Sequence, residues 1–173
     1  MPDKPYTLAP GEKATQVMAG TAEVLIWGDL VTKERVSLTG FMNTLAEDYV
    51  PLRDANVLLL TPVEKTAPLA RSMVYVRLGE ILLLFERGGS EPPPEETEVR
   101  RLEPIEVLIG PYQIEGSLLK SPIATMQNLL LVMKDPYLPL YQATIRHVAK
   151  PWLGAFQADL VQVRRDRLIV AIR

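Results

Sequence analysis

The feature that most constrains this chain is a short segment that occurs twice. Tyr49-Val50-Pro51-Leu52 returns 88 residues later as Tyr137-Leu138-Pro139-Leu140. The similarity continues beyond the segment at the same offset, where Val57 matches Ile145. A match that keeps its register over such a distance predicts one structural unit encoded twice.

A second periodic feature precedes each copy. Leu38, Phe41, Met42 and Leu45 stand at i, i+3, i+4 and i+7, the spacing of one apolar helix face. Ser37 precedes them and is predicted to be the N-cap, because its hydroxyl can accept a hydrogen bond from a first-turn amide. The pattern predicts a short helix in the first copy.

The same spacing recurs 88 residues later. Its members are Met126, Leu129, Leu130 and Met133. Pro122 before them suits the start of a helix. The pattern therefore predicts a second short helix, and a strand over 130–133 is the alternative that remains open.

Strand composition dominates the remaining segments. Thr21–Trp27 is followed by Gly28-Asp29 and then by Leu30-Val31, which predicts two strands or one bent strand with a glycine at the bend. Each Tyr-x-Pro-Leu segment is predicted to begin a strand, ending near Leu60 in the first copy and near His147 in the second. Proline is tolerated there because it has no amide to donate.

Each copy is predicted to end in a β-hairpin. In the first copy its strands are 72–78 and 81–85, around a turn at Gly79-Glu80. In the second they are 157–163 and 168–172, around a turn at Arg165-Asp166. The domain prediction is a first repeat over 14–87, an acidic, proline-rich linker over 88–101 and a second repeat over 102–173, with residues 1–13 as a loose arm.

The segment Val163-Arg164-Arg165-Asp166-Arg167-Leu168 resembles the second signature of Sm-like proteins. Residues 76–81 are a looser version, and Gly28-x-Leu30 and Gly116-x-Leu118 resemble the bent second strand of that fold. Each half is also similar to small uncharacterised bacterial domains. The resemblance implies a mainly β protein made of two tandem, strongly bent small β-barrels, each with one short helix. Arg165 stands where the signature has glycine, and the helix occupies the region of the RNA-binding loop.

The inventory of catalytic residue types predicts a protein that is not an enzyme. The chain has no cysteine and a single histidine, His147, which is predicted to be a satisfied or surface residue. It contains no phosphate-binding loop, hydrolase elbow or metal-ligand motif. We therefore expect no catalytic residue, cofactor or metal. A net charge of −2, a polar N-terminus and short apolar runs predict a cytoplasmic protein without a membrane partner.

The basic residues provide the only candidate contact site. Arg164, Arg165 and Arg167 cluster near the C-terminus and are predicted to contact nucleic acid or a protein partner. The alternative is a charged strand edge that discourages aggregation.

The leading functional hypothesis is a non-catalytic structural or interaction protein, a pseudo-dimer of two barrels that binds a protein partner or associates with itself. One alternative is a weak RNA-binding Sm-like module that uses the arginine cluster. The other is a small-molecule-binding protein with a site between the barrels, near Trp27, Trp152 and Tyr137.

Overall fold

The secondary structure is mainly β, as the sequence predicts. The computed structural model describes residues 6–45, 47–61, 66–89 and 93–171. These residues form ten antiparallel strands, two short α-helices and three short 3-10 turns. None of the helices within this described part has the length and apolar character needed to cross a membrane. The chain divides into two units, residues 1–87 and 88–173.

The first unit contains five strands, with a helix between the second and the third. Its ladder has the order β5-β1-β2-β3-β4. The elements are β1 Glu12–Gly20, β2 Val24–Lys33, α1 Leu38–Thr44, β3 Tyr49–Leu59, β4 Leu69–Arg77 and β5 Leu83–Glu86.

The second unit repeats this order of elements. Its ladder has the order β10-β6-β7-β8-β9. The elements are β6 Arg101–Ile109, β7 Tyr112–Lys120, α2 Met126–Val132, β8 Tyr137–His147, β9 Ala155–Arg164 and β10 Leu168–Ala171. Among the described residues no ladder joins β4 to β5 or β9 to β10, so each five-strand ladder is open.

A bend in β2 and in β7 shapes each unit. The β2–β3 register shifts between Trp27 and Asp29, and a Cβ on Gly28 would lie 2.6 Å from the carbonyl oxygen of Arg53. The β7–β8 register shifts in the same way on either side of Gly116. Glycine permits this close approach of two backbones. The prediction of one bent strand with glycine at the bend is confirmed.

A residue with a left-handed backbone conformation lies opposite each bend. Asp54 has φ 45° and Gln142 has φ 51°, the only non-glycine residues with positive φ in the described part. At both positions the buried residues stop alternating: Leu52 is followed by Ala55, and Leu140 by Ala143. A strand normally buries every second residue, so the three-residue interval marks the point where β3 and β8 turn with the bend.

The predicted terminal hairpins are wrong. After β4 the chain passes through the 3-10 turn Leu78–Glu80, and β5 then pairs with β1 instead of β4. After β9 it passes through the 3-10 turn Arg165–Arg167, and β10 pairs with β6. Connections of three to five residues can also close a hairpin, so their length does not decide the matter. The last strand of each unit pairs instead with a strand from the start of that unit.

The strands that β5 and β10 join, β1 and β6, were not predicted from the sequence. β1 begins at Glu12, inside the predicted arm, and β6 begins at Arg101, the last residue of the predicted linker. Residues 1–5 of the arm, 90–92 of the linker and Ile172, the predicted end of the last strand, lie outside the described residues.

Both predicted helices are confirmed. Ser37 caps α1 by accepting a hydrogen bond from the Gly40 amide at 3.1 Å, and Thr125 caps α2 through the Asn128 amide at 3.2 Å. The strand alternative for 130–133 is wrong. The helices differ in burial, because α1 buries Leu38 and Met42 whereas no residue of α2 is fully buried.

Candidate functional site

The three arginines of the predicted contact site lie at one turn, but two of them contact other parts of the unit. Arg164 pairs with Asp166 at 2.7 Å between Nε and Oδ1, and this bond holds the pKa of the Asp166 carboxyl below its usual range. Arg164 also stands opposite Tyr137 in the β8–β9 ladder. Burial raises the pKa of Tyr137 to about 12, opposed by the nearby guanidinium.

Arg165 stabilises the C-terminal end of α2. Its Nη1 donates to the carbonyl oxygens of Leu130, at 3.2 Å, and of Met133. The last carbonyls of a helix have no intrahelical donor and carry partial negative charge, so a guanidinium is well placed there. Arg167 is exposed at the same turn. Of the predicted contact residues, Arg167 is therefore the one that faces solvent without a described side-chain bond.

The helix α2 displays an apolar surface. Ile123, Leu131 and Val132 are 94%, 74% and 76% exposed, and we call them the α2 apolar surface. The equivalent residues of the first unit, 88 positions earlier, are polar: Arg35, Asn43 and Thr44. Comparison of the two copies of the sequence could have found this surface, because the apolar stripe of each helix is retained while these three outer positions change character.

Each unit also has a cavity at its bend. The second-unit bend cavity has a volume of about 470 Å³ and is lined by Pro104, Ile105, Glu106, Glu115, Gly116, Ser117, Gln142 and Thr144. The first-unit bend cavity has about 240 Å³ and is lined by Gln16, Val17, Trp27, Gly28, Asp29, Asp54, Asn56 and Arg87. With two exceptions, Glu106 and Arg87, the lining positions correspond at an offset of 88. The bend at Gly28 was predicted from the sequence, whereas the two cavities were not.

A polar row crosses the second-unit bend cavity. Glu106 on β6 stands directly opposite Glu115 on β7, and Glu115 stands opposite Thr144 on β8. The Gln113 amide donates to Glu106 Oε1 at 2.5 Å, and Arg146 Nη1 lies 3.5 Å from Glu115 Oε1. The first unit has Met18 and Trp27 at the positions of the two glutamates.

The single histidine is buried and its Nδ1 has no described hydrogen-bond partner, so the prediction of a satisfied or surface residue is wrong. His147 packs edge-on against Tyr112, with ring centroids 5.3 Å apart. Neither His147 Nδ1 nor the Tyr112 hydroxyl has a hydrogen-bond partner among the described residues. Burial lowers the pKa of His147, with the nearby Lys150 acting in the same direction, and burial raises the pKa of Tyr112 above its usual range.

The three aromatic residues predicted to lie near a small-molecule site differ from one another in burial and in local structure. Trp27 lines the first-unit bend cavity, Tyr137 is fully buried, and Trp152 is partly exposed in the 3-10 turn Pro151–Leu153. Within the described part of the chain, no group of three or more histidine, aspartate or glutamate side chains is arranged to hold a metal ion.

Comparisons with protein-family models, with curated proteins and with solved structures gave no match to this chain.

Proposed function

We propose that the chain is a non-catalytic structural or interaction protein, built as a pseudo-dimer of two small bent β-barrels, that binds a protein partner or further copies of itself. The α2 apolar surface is the observation that carries the proposal. The equal order of elements in the two units and the 88-residue register support the duplication, and the bends at Gly28 and Gly116 support a barrel-like curvature.

The α2 apolar surface is costly to leave in water. Apolar area buried from water contributes about 25 cal/mol per Å², and contiguous exposed apolar residues are typical of contact surfaces. Isolated exposed apolar residues are common on any protein and would not carry this argument. Here Leu131 and Val132 lie in the last turn of α2, Ile123 lies three residues before its first residue, and the other unit has polar residues at all three positions.

The ends of the ladders offer a second means of association. β4 ends the ladder order of the first unit and β10 ends that of the second. Exposed apolar side chains accompany both strands: Leu69 and Tyr75 on β4, and Ile169 on β10. An open strand edge can pair with another chain through its amides and carbonyls. Because β4 and β10 are different surfaces, their pairing would be head to tail and would produce rings or filaments.

The test replaces the α2 apolar surface by the residues that the first unit has in its place. The variant Ile123→Arg, Leu131→Asn, Val132→Thr keeps the helix stripe and its cap. We expect wild-type protein to show a molar mass above that of one chain by light scattering, and the variant to shift towards one chain. The control changes Val99→Thr and Val148→Thr, which are exposed apolar residues away from α2, and should leave the mass unchanged.

A wild-type protein that remains a single chain at high concentration, and that retains the same proteins from native extract as the triple variant does, would contradict the proposal. The RNA-binding alternative has less support, because Arg164 and Arg165 make bonds within the unit. It predicts salt-sensitive RNA affinity that depends on Arg167. Loss of RNA binding in Arg167→Glu, with the molar mass unaltered, would favour that alternative.

A further inference from the structure

We propose that an exposed tyrosine surface of the first unit binds an acidic, proline-rich segment of a second copy of the chain. The surface consists of Tyr49 and Pro51 on β3 and of Tyr75 and Arg77 on β4, and we call it the β3–β4 tyrosine surface. The segment is residues 93–98 of the linker. The inference rests on the proposed function, since it specifies one contact between copies, but the surface shares no residue with the α2 apolar surface.

The four side chains lie on one face of two paired strands. Tyr49 stands directly opposite Arg77, and Pro51 stands directly opposite Tyr75. The single residue between them on β3, and the one on β4, are both buried, so the four side chains are directed away from the core. Diagonal neighbours in such a pair are about 7–8 Å apart, within reach of aromatic side chains. Tyr49 and Tyr75 therefore form one continuous surface.

The two tyrosines are open to contact. Tyr49 is 50% exposed and Tyr75 is 65% exposed, and neither side chain makes a bond or ring contact with the described part of the chain. Accessible aromatic residues are enriched in protein interfaces and contribute much of the binding energy there. The equivalent residues of the second unit, Tyr137 and Gln162, are both fully buried. The surface is thus a feature of the first unit.

A third tyrosine extends the surface. The Tyr6 ring packs on the guanidinium of Arg53, 3.7 Å from its centroid, and Arg53 follows Pro51 on the same face of β3. The Tyr6 hydroxyl donates to Glu12 Oε2 at 2.7 Å. That bond, with a smaller contribution from Arg53, holds the pKa of the Glu12 carboxyl below its usual range. Arg53 already lies near a carboxylate, so Arg77 supplies the positive charge for a ligand.

The linker has the complementary composition. Its residues 93–98 are Pro93-Pro94-Glu95-Glu96-Thr97-Glu98. Consecutive prolines favour the polyproline II conformation, whose preformed shape docks on surfaces lined with aromatic rings. Glu96 accepts a hydrogen bond from the Leu102 amide at 2.7 Å, whereas Glu95 and Glu98 are exposed. These two carboxylates are available to Arg77, which is exposed and has no described ion pair.

Charge favours this peptide over a single-stranded nucleic acid. Nucleic-acid affinity depends on neutralising several phosphates, and Arg77 is the one arginine of the β3–β4 tyrosine surface. The net charge of −2 gives the whole chain no attraction for a phosphate backbone. Bases can stack on tyrosines, so nucleic acid is the competing occupant that the experiment must exclude.

A fluorescent peptide with the sequence of residues 88–99 tests the contact. Full-length chain is added to the peptide, and binding is followed by fluorescence anisotropy. We expect saturable binding that weakens with salt, and about tenfold weaker binding when every proline of the peptide is replaced by alanine. Replacing every glutamate by glutamine should also weaken binding. No saturable binding, or equal affinity of the three peptides, would overturn the proposal, as would tighter binding of an oligothymidylate of the same length.

Two variants locate the site on the chain. Tyr75→Ala removes the more exposed ring and should weaken binding of the peptide about tenfold. Arg77→Gln should weaken it less and reduce its dependence on salt. The matched controls Ile169→Ala and Arg167→Gln change exposed residues of the second unit and should leave the affinity unchanged. Thermal unfolding shows whether each variant is folded. A folded Tyr75→Ala variant that binds as tightly as wild type, or an equal loss in the controls, would refute the site.

The triple variant of the α2 apolar surface separates this contact from the proposed function. It should bind the peptide as tightly as wild type does, because α2 contributes nothing to the β3–β4 tyrosine surface. Absence of peptide binding, together with a molar mass that depends on α2, would refute the linker contact alone. Peptide binding that requires Tyr75, together with a molar mass that does not depend on α2, would refute the association through α2 alone.

Discussion

The two units have the same order of strands and helices, but several equivalent positions differ in chemical character. Leu52 and Leu140 are equivalent and both are fully buried. In contrast, Trp27 corresponds to Glu115 at the bend. Many inward positions, such as those of Leu30 and Leu118, keep their apolar character in both units, but the buried Met18 corresponds to Glu106. The second unit has both the apolar helix surface and the carboxylate-lined cavity.

The repeated Tyr-x-Pro-Leu segment shows how far a shared sequence determines a shared environment. Pro51 and Pro139 occupy the same place near the start of β3 and β8. Tyr49 is nevertheless 50% exposed, whereas Tyr137 is 0% exposed. The segment therefore determines where the strand begins, and the surroundings determine whether its tyrosine is buried.

The largest expected effect tests the equivalence of the two cores. Leu52→Ala and Leu140→Ala each remove a fully buried side chain, and each should lower the free energy of unfolding of its own unit by about 3 kcal/mol. Urea unfolding can be followed through Trp27 in the first unit and Trp152 in the second, in variants that keep only one tryptophan. If the decrease in the free energy of unfolding in one unit is less than half of the decrease in the other, the two cores are not equivalent.

The next effect sharpens the comparison of the bends. A Cβ on Gly28 would meet the Arg53 carbonyl oxygen at 2.6 Å, whereas a Cβ on Gly116 would lie 3.2 Å from that of Tyr141. Gly28→Ala should therefore cost about 3 kcal/mol and Gly116→Ala about 1 kcal/mol, since the backbone must shift further in the first case than in the second. Chemical denaturation of the two variants gives the values, and the reverse order would show that the bends are built differently.

A smaller effect distinguishes a structural arginine from an exposed one. Arg165→Ala removes the donor to the last carbonyls of α2 and should cost about 2 kcal/mol, the range of hydrogen bonds that involve a charged group. Arg167→Ala changes an exposed residue and should remain within about 0.5 kcal/mol of wild type. Hydrogen exchange of the α2 amides gives an independent measurement. Equal exchange rates and equal losses of stability in the two variants would show that Arg165 does not cap α2.

The smallest effect concerns pH and one buried ring. Because burial lowers the pKa of His147, the unfolded chain takes up a proton before the folded chain does. The free energy of unfolding should therefore decrease as the pH falls from about 7 to about 5. His147→Leu introduces the residue that the first unit has at this position, Leu59, and should reduce this dependence. Identical pH profiles of wild type and variant would show that His147 does not contribute.

Local patterns predicted the elements that depend on neighbouring residues in sequence. The helix spacing around Met42 and Leu130, the Ser37 cap and the bend at Gly28 all follow from such patterns, and the structure contains each of them. The pairing of β5 with β1 could not be derived in this way. It joins residues near 85 to residues near 18, and nothing local distinguishes it from a hairpin between β4 and β5.

The candidate sites were less predictable than the fold. Arg165 contacts carbonyls 32 and 35 residues earlier in the chain, so its role depends on tertiary structure that composition does not reveal. The α2 apolar surface depends on which side of a helix remains uncovered. The second-unit bend cavity depends on three strands meeting at one glycine.

Hydrogen exchange at two protein concentrations tests the central claim, that association occurs through α2, most directly. If the α2 apolar surface is the contact, amide exchange over Met126–Val132 should slow as the concentration rises, while exchange over Leu38–Thr44 in α1 should not change. Concentration-independent exchange in both helices, or equal slowing in both, would contradict the account.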